Sequence, residues 1–454
     1  MNAFHSVYWA VNISFIGLLF VFVLILIYHL IIEKIYSPFV TVYFVFNFLF
    51  FYIAPLVQLD GLEALSLFPN TYPFKPKEVI VLNTYISVFN LVFLLTYIVL
   101  KKKYFEPKTI EYKNLTFNKF VPLLIFLILI ISGFLLLFYR NLISELILFH
   151  GKANTGLTMI QNLIVRKIFF SIPSGALFLG ILYIKNKREN LSRNMLYIFV
   201  FTLILLLFFV IVKNPFIEKR NALGPLYITL LFCAFPKLLN TNRKMMIFFF
   251  LVMIFIFPIM SIFTHSQQGI MGIKENPTEI FERVSKESIQ KEFKSLHYDA
   301  YSNTLSTIDN VSKNGITYGH QLLGSIFFFI PRSIWVSKPI GSGKLGGRYL
   351  MKNYSMWFDN LSNPFISEGI LNFGILGVIL FPIILVFFIV KVFLNWLYSS
   401  DPLKCIVSFY FAVHLLFLLR GDLTNGISYY IGPLIGMLFV PKVLLIIIKN
   451  ILKK

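Results

Sequence analysis

Apolar runs of about twenty residues recur along the whole chain, and few folds accommodate them. A helix needs about 20 apolar residues to cross a hydrocarbon core, and a backbone in lipid must satisfy its own hydrogen bonds. Runs at 11–32, 39–58, 79–100, 120–139, 164–184, 194–212, 222–238, 245–263, 366–391, 403–419 and 427–449 come near that length. The expectation is an all-α fold, a polytopic helical integral membrane protein with about eleven transmembrane helices. Residues 1–454 read as a single polytopic membrane domain. Composition agrees: 57% of residues are hydrophobic, 13% are charged, and mean hydropathy is +0.78, outside the range of soluble domains. The first run follows no basic n-region or cleavage motif, so it reads as a retained helix.

Orientation follows the cations. Lys101, Lys102, Lys103, Lys108, Lys113 and Lys119 form one basic loop, and Lys185, Lys187, Arg188 and Arg193 form another. Lys237, Arg243 and Lys244 form a third, Lys391 and Lys404 bracket a fourth, and Lys449, Lys453 and Lys454 end the chain. With these spans all five fall on one side, which the positive-inside rule makes cytoplasmic. The C-terminus is then cytoplasmic. The segment 264–365 becomes one large extracytoplasmic loop within the membrane domain. Its charged stretch 279–294 has opposite charges three or four apart, a pattern for a solvated helix. Gln321–Ile330 is apolar but too short to cross, so a re-entrant or interfacial helix is expected there.

The formal net charge is +21, from 41 Lys and Arg against 20 Asp and Glu. On a soluble protein that balance would suggest nucleic acid. Here it is a topology signal and an attraction to anionic headgroups, with no nucleic-acid partner implied. The two cysteines, Cys233 and Cys405, lie in apolar runs and read as small buried hydrophobes. The seven histidines are scattered without metal-ligand spacing, so no metal site and no cofactor are expected. Gly432 and Gly436 form a small-xxx-small match for close helix packing.

Ile330–Gly377 breaks the apolar pattern with glycines, prolines and cations. Gly341-Ser342-Gly343-Lys344 resembles part of a phosphate loop, but Lys338 replaces the first glycine and Leu345 the hydroxyl residue. A flexible glycine loop that brings backbone N–H groups to a phosphate remains open. Arg220, Arg332, Arg348 and Arg420 fall in three outer segments, against the inward bias of cations. Each also reads as an interfacial anchor. Together they suit the bidentate recognition of phosphate oxygens, and Lys338 and Gly343 stand beside them. Candidate acids and bases at the same level are Glu218, Glu368 and Asp422, with His265 and His320 near the interface. Glu368 opens an apolar helix, where the N-terminal dipole favours its charged form.

This layout resembles the bacterial O-antigen and oligosaccharide repeat-unit polymerases of the Wzy type. The residues that carry the likeness are Pro331-Arg332-Ser333-Ile334-Trp335, Lys338-Pro339 and the glycines that follow. Ser367-Glu368-Gly369, Asn372-Phe373-Gly374-Ile375-Leu376-Gly377 and Arg420-Gly421-Asp422 extend it. Arg332 and Gly343 are similar to the family's Arg-x10-Gly pattern, whereas Arg220 has no glycine at that spacing.

The resemblance implies a metal-independent, inverting glycosyltransferase on the extracytoplasmic face of the bacterial plasma membrane. It joins undecaprenyl-pyrophosphate-linked oligosaccharides into O-antigen or capsule-like polysaccharide, with undecaprenyl pyrophosphate leaving. Membrane lipids, a chain-length regulator and a repeat-unit flippase are the implied partners. Arg332 and Arg348, helped by Arg220, Arg420 and Lys338, are then the pyrophosphate clamp. Glu368 is then the first choice for the base that takes the acceptor's proton, followed by His320 or Asp422. An O-antigen ligase shares these features. A GT-C glycosyltransferase would use an acidic pair such as Asp60 and Glu63, and a lipid-glycan transporter would carry ionisable residues in mid-span.

Overall fold

The computed structural model describes residues 2–59, 66–105, 115–149, 161, 164–187, 193–215, 218, 220–256 and 289–452. Asp60, Glu63, His265 and the stretch 279–288 lie outside the described residues. The protein is all-α. Its one extended pairing among the described residues is an isolated bridge between Leu67 and Pro73.

Nine described helices are long and apolar enough to cross a membrane. They are α1 (Tyr8–Ile32), α2 (Pro38–Gln58), α3 (Pro76–Tyr104), α4 (Val121–Phe138), α6 (Ile164–Asn186), α7 (Met195–Val212), α14 (Ile375–Leu397), α15 (Pro402–Arg420) and α16 (Leu423–Ile451). The shorter α5 (Arg140–Phe149), α8 (Arg220–Ala234) and α9 (Asn242–Leu251) lie between them in sequence. Helices α10 (Ala300–Asn314), α11 (His320–Ile326), α12 (Ser342–Tyr354) and α13 (Phe365–Phe373) precede α14. Proline begins α2, α3 and α15, where its missing N–H breaks no bond.

Three expected spans differ. The run 222–238 is a helix of 15 residues followed by a 3-10 turn at Pro236–Leu238. The run 245–263 is described as α9 and a π-turn, Val252–Ile256. The run 366–391 is broken at Gly374, whose φ of 59° lies in the left-handed region that glycine tolerates. There the chain folds back, so α13 packs on α14 with Gly369 against Gly377. A Cβ on Gly377 would stand 1.9 Å from the Gly369 carbonyl oxygen. Glu368 therefore belongs to a short separate helix rather than to the mouth of a membrane span.

Helix α15 is the axis of the bundle. In its most apolar stretch 89% of residues are buried, against 28% in α4 and α7. It packs on α2, α6, α8 and α16. Gly432 and Gly436 on α16 let that helix meet the backbone of Lys167 and Ile168, as their spacing suggested. Cys233 and Cys405 are buried and unbridged. The expected short helix near 321–330 is α11.

A polar layer caps one end of α15. Helix α10 buries Ser302, Asn303, Thr304, Ser306, Thr307 and Asp309, which is affordable because the chain around them supplies partners. Asn303 donates to Asp299 at 2.9 Å and to the Ser362 carbonyl at 2.9 Å. Asp309 receives Lys313 at 3.0 Å and Tyr349 at 2.5 Å.

Candidate active site

Two of the four arginines singled out by sequence come together. Arg220 opens α8 and Arg420 ends α15, and those two helices pack side by side. Arg420 Nη2 donates to the Leu296 carbonyl at 3.1 Å and to Asp299 Oδ1 at 3.3 Å. Its Nε is buried with no hydrogen-bond partner among the described residues. Arg220 Nη2 lies 3.1 Å from His297 Nδ1. Burial and the neighbouring charge of Arg420 bring the Arg220 guanidinium down to about 10, so it stays charged at neutral pH. Both guanidiniums are half-buried, with Asp299 against Arg420 and the charge of Glu292 acting on Arg220.

Arg220 also lines an apolar cavity of about 450 Å³ between α8, α9 and α15, whose α15 wall is Val413, Leu416 and Phe417. Arg220 is the charged residue of its wall; Leu223, Tyr227, Phe248, Phe249 and Phe417 are among the rest. That volume is typical of a ligand pocket. A wall with so few polar groups suits a hydrocarbon chain and gives a sugar almost nothing to bond.

Two carboxyl groups lie just beyond. Asp422 follows Arg420 by two residues, which keeps their Cα atoms within about 7 Å. Asp422 caps the N-terminus of α16, with Oδ1 accepting from the Asn425 N–H at 2.8 Å. Its Oδ2 faces Gly341, where a Cβ would approach to 3.0 Å. Glu368 is fully buried below. Its Oε1 accepts from the Ser342 hydroxyl and from the Leu423 N–H, the latter at 2.9 Å. Its Oε2 makes no close hydrogen bond among the described residues.

Burial pushes the Glu368 carboxyl up to about 7, and the nearby Asp422 adds to the rise. Hydrogen bonds from Ser342 and Leu423 oppose it without prevailing. The sequence expectation that a helix dipole keeps Glu368 charged is thus corrected: removal from water outweighs the dipole. Burial raises Asp422 as well, against its bonds to Asn425. Asp422 is half-buried, whereas Glu368 is sealed from solvent.

Of the other predicted residues, Gly343 adjoins Ser342 in the chain, and the rest make their contacts elsewhere. Arg332 is exposed, and its fork donates to the carbonyls of Lys338 and Pro339 in its own loop. Lys338 in turn donates to the carbonyls of Phe328 at 2.6 Å and Ile330 at 2.8 Å. Arg348 is exposed and pairs with Asp359 at 3.3 Å. His320 is exposed against Trp335. Glu218 pairs with Arg166 at 3.3 Å. Gly343 is not part of a flexible loop: it lies in the first turn of α12, buried, and a Cβ there would stand 2.1 Å from the Leu361 carbonyl oxygen. Its small size serves backbone packing, and Gly347 one turn later does the same against Asp359.

Sequence reading missed Asp299, His297 and Ser342. Asp299 and His297 sit in a polar stretch with no spacing signal. Ser342 lay inside a motif read for its glycines. Comparison with known protein families, with characterised proteins and with solved structures gives no match for this chain.

Proposed function

We propose that this protein is a membrane polymerase that joins undecaprenyl-pyrophosphate-linked oligosaccharide units by inverting, metal-independent glycosyl transfer. One observation carries the reading. An apolar cavity ends at Arg220 beside Arg420, and Arg420 stands two residues from the part-buried carboxyl of Asp422. Tail, pyrophosphate and reacting sugar of one lipid-linked donor would follow in that order. The basic loops argue for about eleven spans. In that count α8 and the α9 segment cross as short helices, the site opens on the extracytoplasmic face, and the C-terminus is cytoplasmic.

The chemistry asks little of the protein beyond placement and charge. Asp422 takes the proton from the acceptor hydroxyl as its oxygen attacks the anomeric carbon. The bond from that carbon to the pyrophosphate oxygen breaks, and its electron pair leaves with the lipid. A single displacement inverts the centre. Arg220 and Arg420 stabilise the charge that builds on the leaving pyrophosphate, a role worth several kcal/mol at a water-poor site. Glu368 is a positioning residue: it holds the Leu423 N–H, next to Asp422 in the chain, and its ionisation tunes that carboxyl.

Membranes carrying the protein, supplied with lipid-pyrophosphate-linked repeat units, should yield a gel ladder spaced by whole units. Single units without a ladder would overturn the reading, and their transfer to a lipid-A core acceptor would assign a ligase instead.

A further inference from the structure

A second group of cations lies on the other side of the first turns of α8. Arg166 and Lys167 occupy a π-turn, Ile164–Ile168, that opens α6, and Lys213 follows α7. Arg166 Nη2 lies 3.3 Å from Glu218 Oε1. Lys167 donates to the Ser428 hydroxyl on α16 and sits 3.8 Å from the ring centroid of Tyr429. Lys213 is only 6% exposed. An ammonium has three donors, yet Lys213 makes one long bond, to the Arg166 carbonyl at 3.3 Å, with Glu218 Oε2 at 3.9 Å. Burial pulls the Lys213 ammonium down while Glu218 holds it up. Arg166 and Lys213 share Glu218, Lys167 acts on Asp422, and the buried Lys213 ammonium keeps unmet donors among the described residues.

The position links this group to the arginine pair. The Tyr227 hydroxyl donates to the Lys213 carbonyl at 2.8 Å, and the Tyr227 side chain lines the apolar cavity. Pro215, two residues past Lys213, lines it too. Ser428, which receives Lys167, stands six residues after Asp422, about 9 Å along the helix. Asp422 thus stands two residues from Arg420 and feels the charge of Lys167.

Joining two lipid-linked units brings two pyrophosphates to one membrane face, and the apolar cavity has one charged residue in its wall, Arg220. We propose that Arg166, Lys167 and Lys213 hold the pyrophosphate of the acceptor lipid, leaving Arg220 and Arg420 to the donor; this rests on the polymerase reading. The sugars of the acceptor unit span the distance from those cations to Asp422, where the far hydroxyl is the nucleophile.

The test uses the full chain in nanodiscs of zwitterionic lipid, with a photoreactive polyprenyl pyrophosphate carrying one repeat unit as probe. Wild-type protein is expected to label in two places, around 164–168 with 213 and around 220–231 with 413–420. Arg166→Gln combined with Lys213→Met should cut the first labelling about tenfold, the loss of charge-assisted contacts, and leave the second within twofold. Lys213→Arg should restore it. Lys167→Gln, on a half-buried side chain, carries the test if the double variant does not accumulate, with about a threefold loss at the first place. Unchanged first-place labelling in these variants would overturn the proposal. So would displacement of the probe by an equal amount of phosphatidylglycerol, which makes the group a site for bulk anionic lipid. In polymer synthesis the double variant should raise the acceptor KM about tenfold at constant donor KM; a parallel rise in both would overturn it. Two labelled places without polymer would sink the polymerase reading and keep a second headgroup site. Polymer with labelling at the arginine pair alone would do the reverse.

Discussion

Four carboxylates are buried among the described residues, Glu33, Asp299, Asp309 and Glu368, and the first and last of them are treated in opposite ways. Glu33, between α1 and α2, has both oxygens engaged. Oε2 lies 2.7 Å from His29 Nδ1, and Oε1 receives Lys101 at 2.6 Å and the Tyr97 hydroxyl at 2.6 Å. His29 Nε2 lies 2.8 Å from the Thr41 hydroxyl, so the network closes. Burial pushes Glu33 up, but the bond and charge of His29, then of Lys101, hold its carboxyl below the usual range. Glu368 has only neutral neighbours as donors: Ser342, the Leu423 N–H and the Asn363 amide. Its Oε2 makes no close hydrogen bond among the described residues, and a second carboxyl lies beside it. A carboxylate that ties helices together is given cations and loses its proton readily. Glu368, which the proposed reading sets beside the reacting groups, is left under-satisfied, near the pH at which it changes charge.

The contrast can be broken by substitution. The largest effect is expected from Asp422→Asn, which keeps the helix cap and removes the base: polymer formation should fall by about 10²–10⁴-fold at normal protein level. Near-wild-type activity would remove Asp422 from the reaction. Glu33→Gln should act on stability instead, by about 3–5 kcal/mol, because Lys101 loses its counter-charge at a buried site. Thermal unfolding in detergent would read this, with activity per folded molecule retained. The sign follows from the lowered carboxyl. The Glu33 contribution is present above the ordinary carboxylate pKa and is lost as pH falls through its own.

Smaller effects sharpen the picture. Arg420→Lys keeps charge and loses the fork, and a drop of about ten- to a hundredfold in polymer yield is expected. For the wild-type protein, activity should climb as pH rises through about 7, where Glu368 loses its proton. Glu368→Gln should cost about tenfold and move that inflection to lower pH, since Asp422 is then relieved of its neighbour's charge. An unmoved profile would separate Glu368 from the titration. The smallest change is expected from Arg332→Lys, under about threefold, because that fork braces its own loop at the surface.

Much of the frame was legible in the chain. Spans such as α1, α4 and α7 are apolar all round and long enough that lipid leaves them no other conformation. The glycine pair Gly432 and Gly436 announced a close helix contact, and it is there. The candidate site was legible in part. Arg220, Arg420, Glu368 and Asp422 stand out as polar groups at span ends, and α8, α15 and the fold-back at Gly374 bring them into one layer. Arg332 and Arg348 stand out for the same reason, yet each is held by its own neighbours. A cation in a sequence does not declare whether its partner is a ligand or a nearby carbonyl.

Sequence by itself determined the solvent this protein lives in, the class of its fold and most of its membrane helices, because hydrophobic length and self-satisfied hydrogen bonds are local properties of a chain. Tertiary structure alone decided which arginines meet, that Glu368 is sealed below Asp422, and that a cavity opens beside Arg220. Those depend on residues hundreds of positions apart, such as Arg220 and Arg420, and burial and charge at a point in space are sums over everything packed around it.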